Sequence, residues 1–312
     1  MKRLLLAPLA TVLLFAVGTT GAAPQDTTQT APWRDMPWGE LGVVALNAAP
    51  YPDDSRTTGY TRNGVDYLRE GHYDDSSVAF AVPAGFKKDA TVDLIVTMHG
   101  HGNTAENFTL QSNAGGLLEA SGRNAIFVAP QGPKNVPDSG GGKFEKPGGF
   151  TAFLAETMAV LRKSGRVAPD AKLGSVALCG YSGGGRPVGY ILRNGDSADA
   201  IREVWLIDCA YGQLDGLSKL AARPEATTRL RSVFTEHLSQ ENIELMSMIC
   251  AGGGEIGVLR DPATTSTASD LTGPDPLPDA MKRHNALFIR TQLPHAIDAL
   301  SVRYVARFMA ER

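Results

Sequence analysis

The run Ser175-Val176-Ala177-Leu178 leads, one residue later, into Gly180-Tyr181-Ser182-Gly183-Gly184, and an amphipathic stretch with Val188, Ile191 and Leu192 follows. A short apolar run before and helical spacing after predict a buried strand that passes straight into a helix. So sharp a turn forces its central residue into a strained backbone conformation and crowds its neighbours. Glycines two before and two after Ser182 remove the Cβ atoms that would clash. The serine hydroxyl then stands clear at the end of a strand, where the first N–H groups of the new helix point at any bound group. Bare G-x-S-x-G is weak in a glycine-rich chain. Set between a strand and a helix, it has the form of a nucleophile elbow and commits the chain to an α/β architecture.

The rest of the chain keeps that pattern. Val78 to Val82, Val92 to Met98, Ala125 to Ala129, Val204 to Ile207, Leu230 to Phe234 and Ala286 to Ile289 read as strands. Near-continuous apolar runs such as Val92 to Met98 mark strands buried on both faces. Helical spacing appears from Phe150 to Leu161, from Ile243 to Ile249 and from Ala296 to Ala310. Strands alternating with helices predict a mostly parallel central sheet with helices on both faces. Ligand sites in such sheets lie beyond the carboxyl ends of the strands. Residues 24–75, rich in Pro, Asp, Gly and Thr, read as an extended N-terminal segment on the domain surface, so the regular domain is expected over 76–312. The stretch from Gly252 to Pro278 reads as a loose connection. The glycines between Asn135 and Gly149 read as mobility beside the site or as a plain surface loop.

A serine hydroxyl becomes a nucleophile only when a base removes its proton. Of the six histidines, His295 is best placed, a short polar step after the last strand. His72, His237 and His284 read as mostly solvent-facing. The base needs a carboxylate to fix its tautomer. Asp208 closes the Val204 to Ile207 strand, and Glu236, one strand later, is the competing candidate; Asp261 and Asp270 are outsiders. The loop Met98-His99-Gly100-His101-Gly102 follows another strand. Backbone N–H groups of Gly183 and His101 would stabilise an oxyanion, with Gly100 letting the backbone approach closely. The His99 side chain reads as structural.

In this order, the set His99-Gly100-His101-Gly102, Gly180-Tyr181-Ser182-Gly183-Gly184, Asp208 and His295 resembles the α/β-hydrolase superfamily over residues 77 to 312, closer to secreted bacterial esterase-like or peptidase-like members than to large lipases. The resemblance implies an eight-stranded, mostly parallel sheet and a serine hydrolase acting on a small-molecule or peptide-like acyl substrate. It also implies that the acid follows the seventh strand, which would favour Glu236. Asp208 is preferred because it closes a clean strand, whereas Glu236 precedes His237 in a polar, helix-starting stretch. No metal or organic cofactor is expected. An acyltransferase on the same triad and a non-catalytic binding module on the same fold are the alternatives.

Lys2 and Arg3, the apolar stretch Leu4 to Val17 and the small residues Gly18 to Ala23 have the layout of a cleaved signal peptide over 1–23. A secreted or periplasmic chain without a membrane span in its mature form is expected. A formal net charge of −3 without basic clusters gives no footing for nucleic acid. Three cysteines lack metal spacing, and Cys179 and Cys209, each closing an apolar run, are expected as buried thiols, with one bridge as the alternative. Nothing in the sequence sets the oligomeric state.

Overall fold

The structure, a computed structural model, describes residues 33–222, 228–267 and 277–311. The expected signal peptide at 1–23 and Asp270 lie outside them. The strands are β1 (Arg34–Met36), β2 (Gly39–Ala45), β3 (Tyr60–Arg62), β4 (Val65–Tyr67), β5 (Ser77–Pro83), β6 (Thr91–Met98), β7 (Ala125–Pro130), β8 (Lys172–Tyr181), β9 (Ile201–Ile207), β10 (Arg229–Phe234), β11 (Ile256–Asp261) and β12 (Ala286–Thr291). Ten of them form one sheet in the order β1-β2-β5-β7-β6-β8-β9-β10-β12-β11, and β3 with β4 makes a separate hairpin. Pairing is antiparallel from β1 to β7 and parallel from β7 to β11. The mostly parallel sheet expected from the sequence is therefore present, with ten strands rather than eight among the described residues.

The principal helices are α1 (Ala105–Gln111), α2 (Ala114–Ser121), α3 (Gly149–Lys163), α4 (Gly185–Asn194), α5 (Leu214–Ala221) and α6 (Ser239–Ala251), followed by the short α7 (Asp279–Lys282). The C-terminal helix runs through α8 (Ile297–Leu300), a π turn (Ser301–Val305) and α9 (Ala306–Ala310). Side chains alternate across the sheet with period two. Val176 and Leu178 of β8, with Val204 and Leu206 of β9, face the core built by Phe150, Phe153 and Leu161 of α3, Ile191 of α4 and Leu245 of α6. Ala177, Cys179, Trp205 and Ile207 face the opposite core, made with Phe108, Leu117, Tyr304 and Phe308. Helices thus cover both faces, which lets the central strands be apolar throughout.

Three features depart from the sequence reading. The segment 24–75 supplies β1 and β2 to the main sheet, so the sheet starts before residue 76; β2 carries Gly39, Gly42 and Glu40, which dilute its strand signal. The connection at 252–278 contains β11, an edge strand whose Gly257 and exposed Val258 hide the alternation. The glycine-rich loop 135–149 is packed down: Asp138, Gly140, Gly141, Gly142 and Phe144 are buried. The cysteines are all free, Cys179 and Cys209 buried and Cys250 exposed. Burial pushes the Cys179 thiol up to about 12 and Cys209 well above its ordinary value, so both stay protonated.

The C-terminal helix is held by shape. Phe308 is fully buried against Trp205, with ring centroids 5.9 Å apart. Phe308→Ala should cost about 3–5 kcal/mol through lost burial and the cavity left behind. Urea unfolding measures this, and a loss below about 1 kcal/mol would contradict tight packing at this site.

Candidate active site

The elbow forms where β8 ends. Tyr181 is still extended, Ser182 turns to φ +51°, and a 3-10 turn over Ser182–Gly184 runs into α4. A left-handed non-glycine residue is strained and persists only when its surroundings hold it. Here they do. A Cβ on Gly184 would run into the Met98 carbonyl, and one on Gly100 would lie 2.8 Å from Ser182 Cβ. The elbow and the loop after β6 are therefore in contact, backbone against backbone.

Ser182 Oγ lies 2.9 Å from His295 Nε2, and His295 Nδ1 lies 2.6 Å from Asp208 Oδ2. Asp208 follows β9, turns at φ +50° and is fully buried. Thr235 supports it from the end of β10: its N–H donates to Oδ1 at 2.8 Å, and its hydroxyl donates to Oδ2 at 2.9 Å. The Tyr181 ring stacks on His295 at 5.1 Å and 19°, and Phe108 stacks behind Tyr181 at 6.1 Å. Tyr181 Oη also donates to the His295 carbonyl at 3.3 Å. Glu236, the competing acid, points elsewhere: it is largely exposed and paired with Arg290. Asp261, at the end of β11, is bound by Arg303 and by the Tyr304 hydroxyl.

His99 is buried with both ring nitrogens engaged. Nε2 accepts the Gly132 N–H at 2.9 Å, leaving the proton on Nδ1 to donate to the Gly100 carbonyl at 2.7 Å. Burial lowers its pKa and keeps it neutral. The His101 side chain reaches outward, with Nε2 2.7 Å from Ser139 Oγ. Both groups border Gly183, where a Cβ would meet His101 Cδ2 at 2.7 Å and Ser139 Oγ at 2.8 Å. The first N–H groups of a helix have no helical acceptor, so the Gly183 end of the elbow offers donors between these walls.

The structure thus brings Ser182, His295 and Asp208 into one hydrogen-bonded row, with Gly100, His101 and Gly183 beside the serine. Sequence reasoning passed over Thr235, Tyr181, Ser139, Tyr211 and His237. Tyr181 stood inside the motif itself, and Thr235 followed a recognised strand. Nothing in the sequence marked Ser139 or Tyr211. His237, read as solvent-facing, is half exposed yet stands edge-on to His295, ring centroids 5.3 Å apart at 87°. A cleft of about 510 Å³ opens beside His295, lined in part by Thr235, His237, Arg260, Arg290 and Leu293.

Asp208, His237 and His295 present potential ligand atoms within 4.8 Å of one another. That set suits hydrogen bonding better than a metal. The 2.6 Å contact between His295 Nδ1 and Asp208 Oδ2 is a charge-assisted hydrogen bond, and a metal there would have to break it. Among the described residues, no helix is long and apolar enough to cross a membrane.

No family model and no curated protein matches the chain. Among solved structures it is similar to a ferulic acid esterase at 16% identity and a TM-score of 0.49, over 75% of this chain and 91% of the other. A feruloyl esterase module from Clostridium thermocellum aligns at 10% identity and a TM-score of 0.44, over 75% of this chain and 82% of that one. An S-formylglutathione hydrolase from Staphylococcus aureus gives 10% and 0.41, over 75% and 92%. At such distance, the chemistry has to be read from this chain's own residues.

The wall carrying Ser139 depends on an ion pair. Arg56 donates to both oxygens of Asp138, at 2.8 and 3.1 Å, and Tyr73 Oη donates to Oδ2 at 3.0 Å. Burial alone would raise the Asp138 pKa, but the Arg56 bonds and charge, with the Gly140 N–H and Tyr73, hold it below the ordinary carboxylate value. A carboxylate depressed in the folded state adds stability above its unfolded pKa, about 3.9, and that stability is lost as pH falls through the folded value. Asp138→Asn should therefore lower Tm at neutral pH, and the gap to wild type should close on acidification below about pH 4. A gap independent of pH would show that the charge is not what holds the loop.

Proposed function

We propose that this α/β-hydrolase fold carries a serine hydrolase that cleaves an ester or amide through an acyl-enzyme, without a metal or organic cofactor. The observation that carries this reading is the unbroken row from Ser182 Oγ through His295 to the buried Asp208 carboxylate. His295 Nε2 takes the Ser182 proton as Oγ attacks the acyl carbon. Asp208 accepts the Nδ1–H bond, which leaves Nε2 as the free base and stabilises the imidazolium that forms. The carbonyl oxygen becomes an oxyanion and is received by the N–H groups of Gly183 and His101. Collapse expels the alcohol or amine with the proton returned by His295. Water, deprotonated by the same imidazole, then releases the acid and restores Ser182.

The row is open enough for this chemistry, since the His295 side chain is about one-third exposed while Asp208 is sealed. The cleft beside His295 gives an acyl substrate room to approach. Lys2, Arg3 and the apolar Leu4 to Val17 support export of the chain.

A fluorophosphonate probe tests the reading directly. The wild-type chain should be labelled at Ser182, and Ser182→Ala should fold normally, escape labelling and lose turnover of p-nitrophenyl acyl esters or amino-acid p-nitroanilides. Activity retained by a folded Ser182→Ala chain would refute the mechanism. Asp208→Asn should lower kcat by about four orders of magnitude by favouring the wrong imidazole tautomer, with KM changed far less. Glu236→Gln should behave like wild type; an inactive, stable Glu236→Gln chain would reassign the acid. Chelators should leave activity unchanged.

A further inference from the structure

The hydrogen bonds around Asp208 continue past His295. Thr235 Oγ1 donates to Asp208 Oδ2 at 2.9 Å, and the same oxygen lies 2.6 Å from His237 Nδ1. A hydroxyl has one proton. With that proton on the carboxylate, Thr235 meets His237 as an acceptor, so His237 carries its own proton on Nδ1. His237 Nε2, 3.0 Å from Tyr211 Oη, is then the acceptor of the phenol proton. One connected row thus runs from Ser182 through His295, Asp208, Thr235 and His237 to Tyr211.

His237 reaches the carboxylate only by this route, since its Nδ1 is 3.8 Å from Asp208 Oδ2, beyond hydrogen-bond distance. Its side chain is 45% exposed, so it fills no core. Both ring nitrogens are nevertheless spent on side-chain hydroxyls, and one of these, Thr235, is bonded to Asp208. On the hydrolase reading above, we propose that His237 is a positioning residue: its Nδ1–H keeps the Thr235 hydroxyl turned onto Asp208. The need is physical. Proton transfer to His295 places a positive charge against Oδ2, and a carboxylate whose orientation is already fixed need not reorganise at that moment. Thr235 supplies the fixing bond, and without His237 its hydroxyl is free to rotate toward water.

The two ring nitrogens can be tested apart. The Asn side-chain N–H falls where His Nδ1–H stands, whereas the Gln terminus falls where Nε2 stands. His237→Phe should lower kcat about tenfold, the scale of one hydrogen bond to a charged group, with KM and Tm little changed. His237→Asn should recover most of that loss, and His237→Gln should not. In a Thr235→Val chain, His237→Phe should have no further effect on kcat, because the route is already cut. Readouts are kcat and KM on p-nitrophenyl acetate and the rate of fluorophosphonate labelling. Wild-type kcat in His237→Phe, an Asn variant as slow as Phe, or additive losses with Thr235→Val would each overturn the positioning role while leaving the hydrolase reading intact. A wild-type chain that the probe leaves unlabelled overturns both.

Discussion

The buried Asp208 carboxylate organises the carboxyl edge of the sheet. A fully sealed charge is costly unless it is hydrogen-bonded on all sides, and the chain meets that demand from three strand ends at once. The residue itself closes β9, its backbone N–H is held by the Val233 carbonyl of β10 at 2.7 Å, and Thr235 beyond β10 supplies two donors. His295, beyond β12, supplies the third. The register of β9, β10 and β12 is therefore tied to one polar group, and an imidazole is delivered next to Ser182 as part of satisfying it. Desolvation of the charge and placement of the imidazole are one structural event.

The strain at Ser182 is balanced by close packing rather than by hydrogen bonds. Its left-handed backbone is held between the β6 loop at Gly100 and the helix start at Gly184, where no side chain fits. Close-packed interiors transmit strain instead of absorbing it, so bulk added at either glycine would move the hydroxyl relative to His295. Stacking does the same work on the other side: Phe108, Tyr181 and His295 form a layered column that limits how far the imidazole can swing.

Legibility in the sequence followed the strength of local pattern. β6, β8 and β9 are buried on both faces, so their apolar runs were plain, and residues at their carboxyl ends could be named in advance. Ser182 and Asp208 were named from the ends of β8 and β9, and His295 from its place after the last strand, β12. Asp208 was preferred to Glu236 because it closes a clean strand; that β9 ends sealed while Glu236 stays in solvent with Arg290 is a fact of tertiary burial with no local signature. The inner strand β2 and the edge strand β11 were missed because partial burial and glycines weaken alternation. His237 was misread because half-exposed polar side chains are the commonest kind, and only the fold brings Thr235, Tyr211 and His295 around it. The glycines of 135–149 signalled freedom, whereas the structure uses them for close approach: a Cβ on Gly140 would strike Tyr51 Oη at 2.6 Å.

The two sides of Ser182 are consequently held by different parts of the chain. The row through His295 and Asp208 rests on strand ends deep in the sheet. The opposite wall, with His101 and Ser139, rests on a loop held down by Arg56 and Tyr73, residues of the N-terminal segment that precede most of the sheet. Disturbing the Arg56–Asp138 pair would loosen the wall that carries Ser139 while leaving the Ser182, His295 and Asp208 side chains aligned. The N-terminal segment, which by composition resembles surface wrapping, sets the geometry of one half of the site.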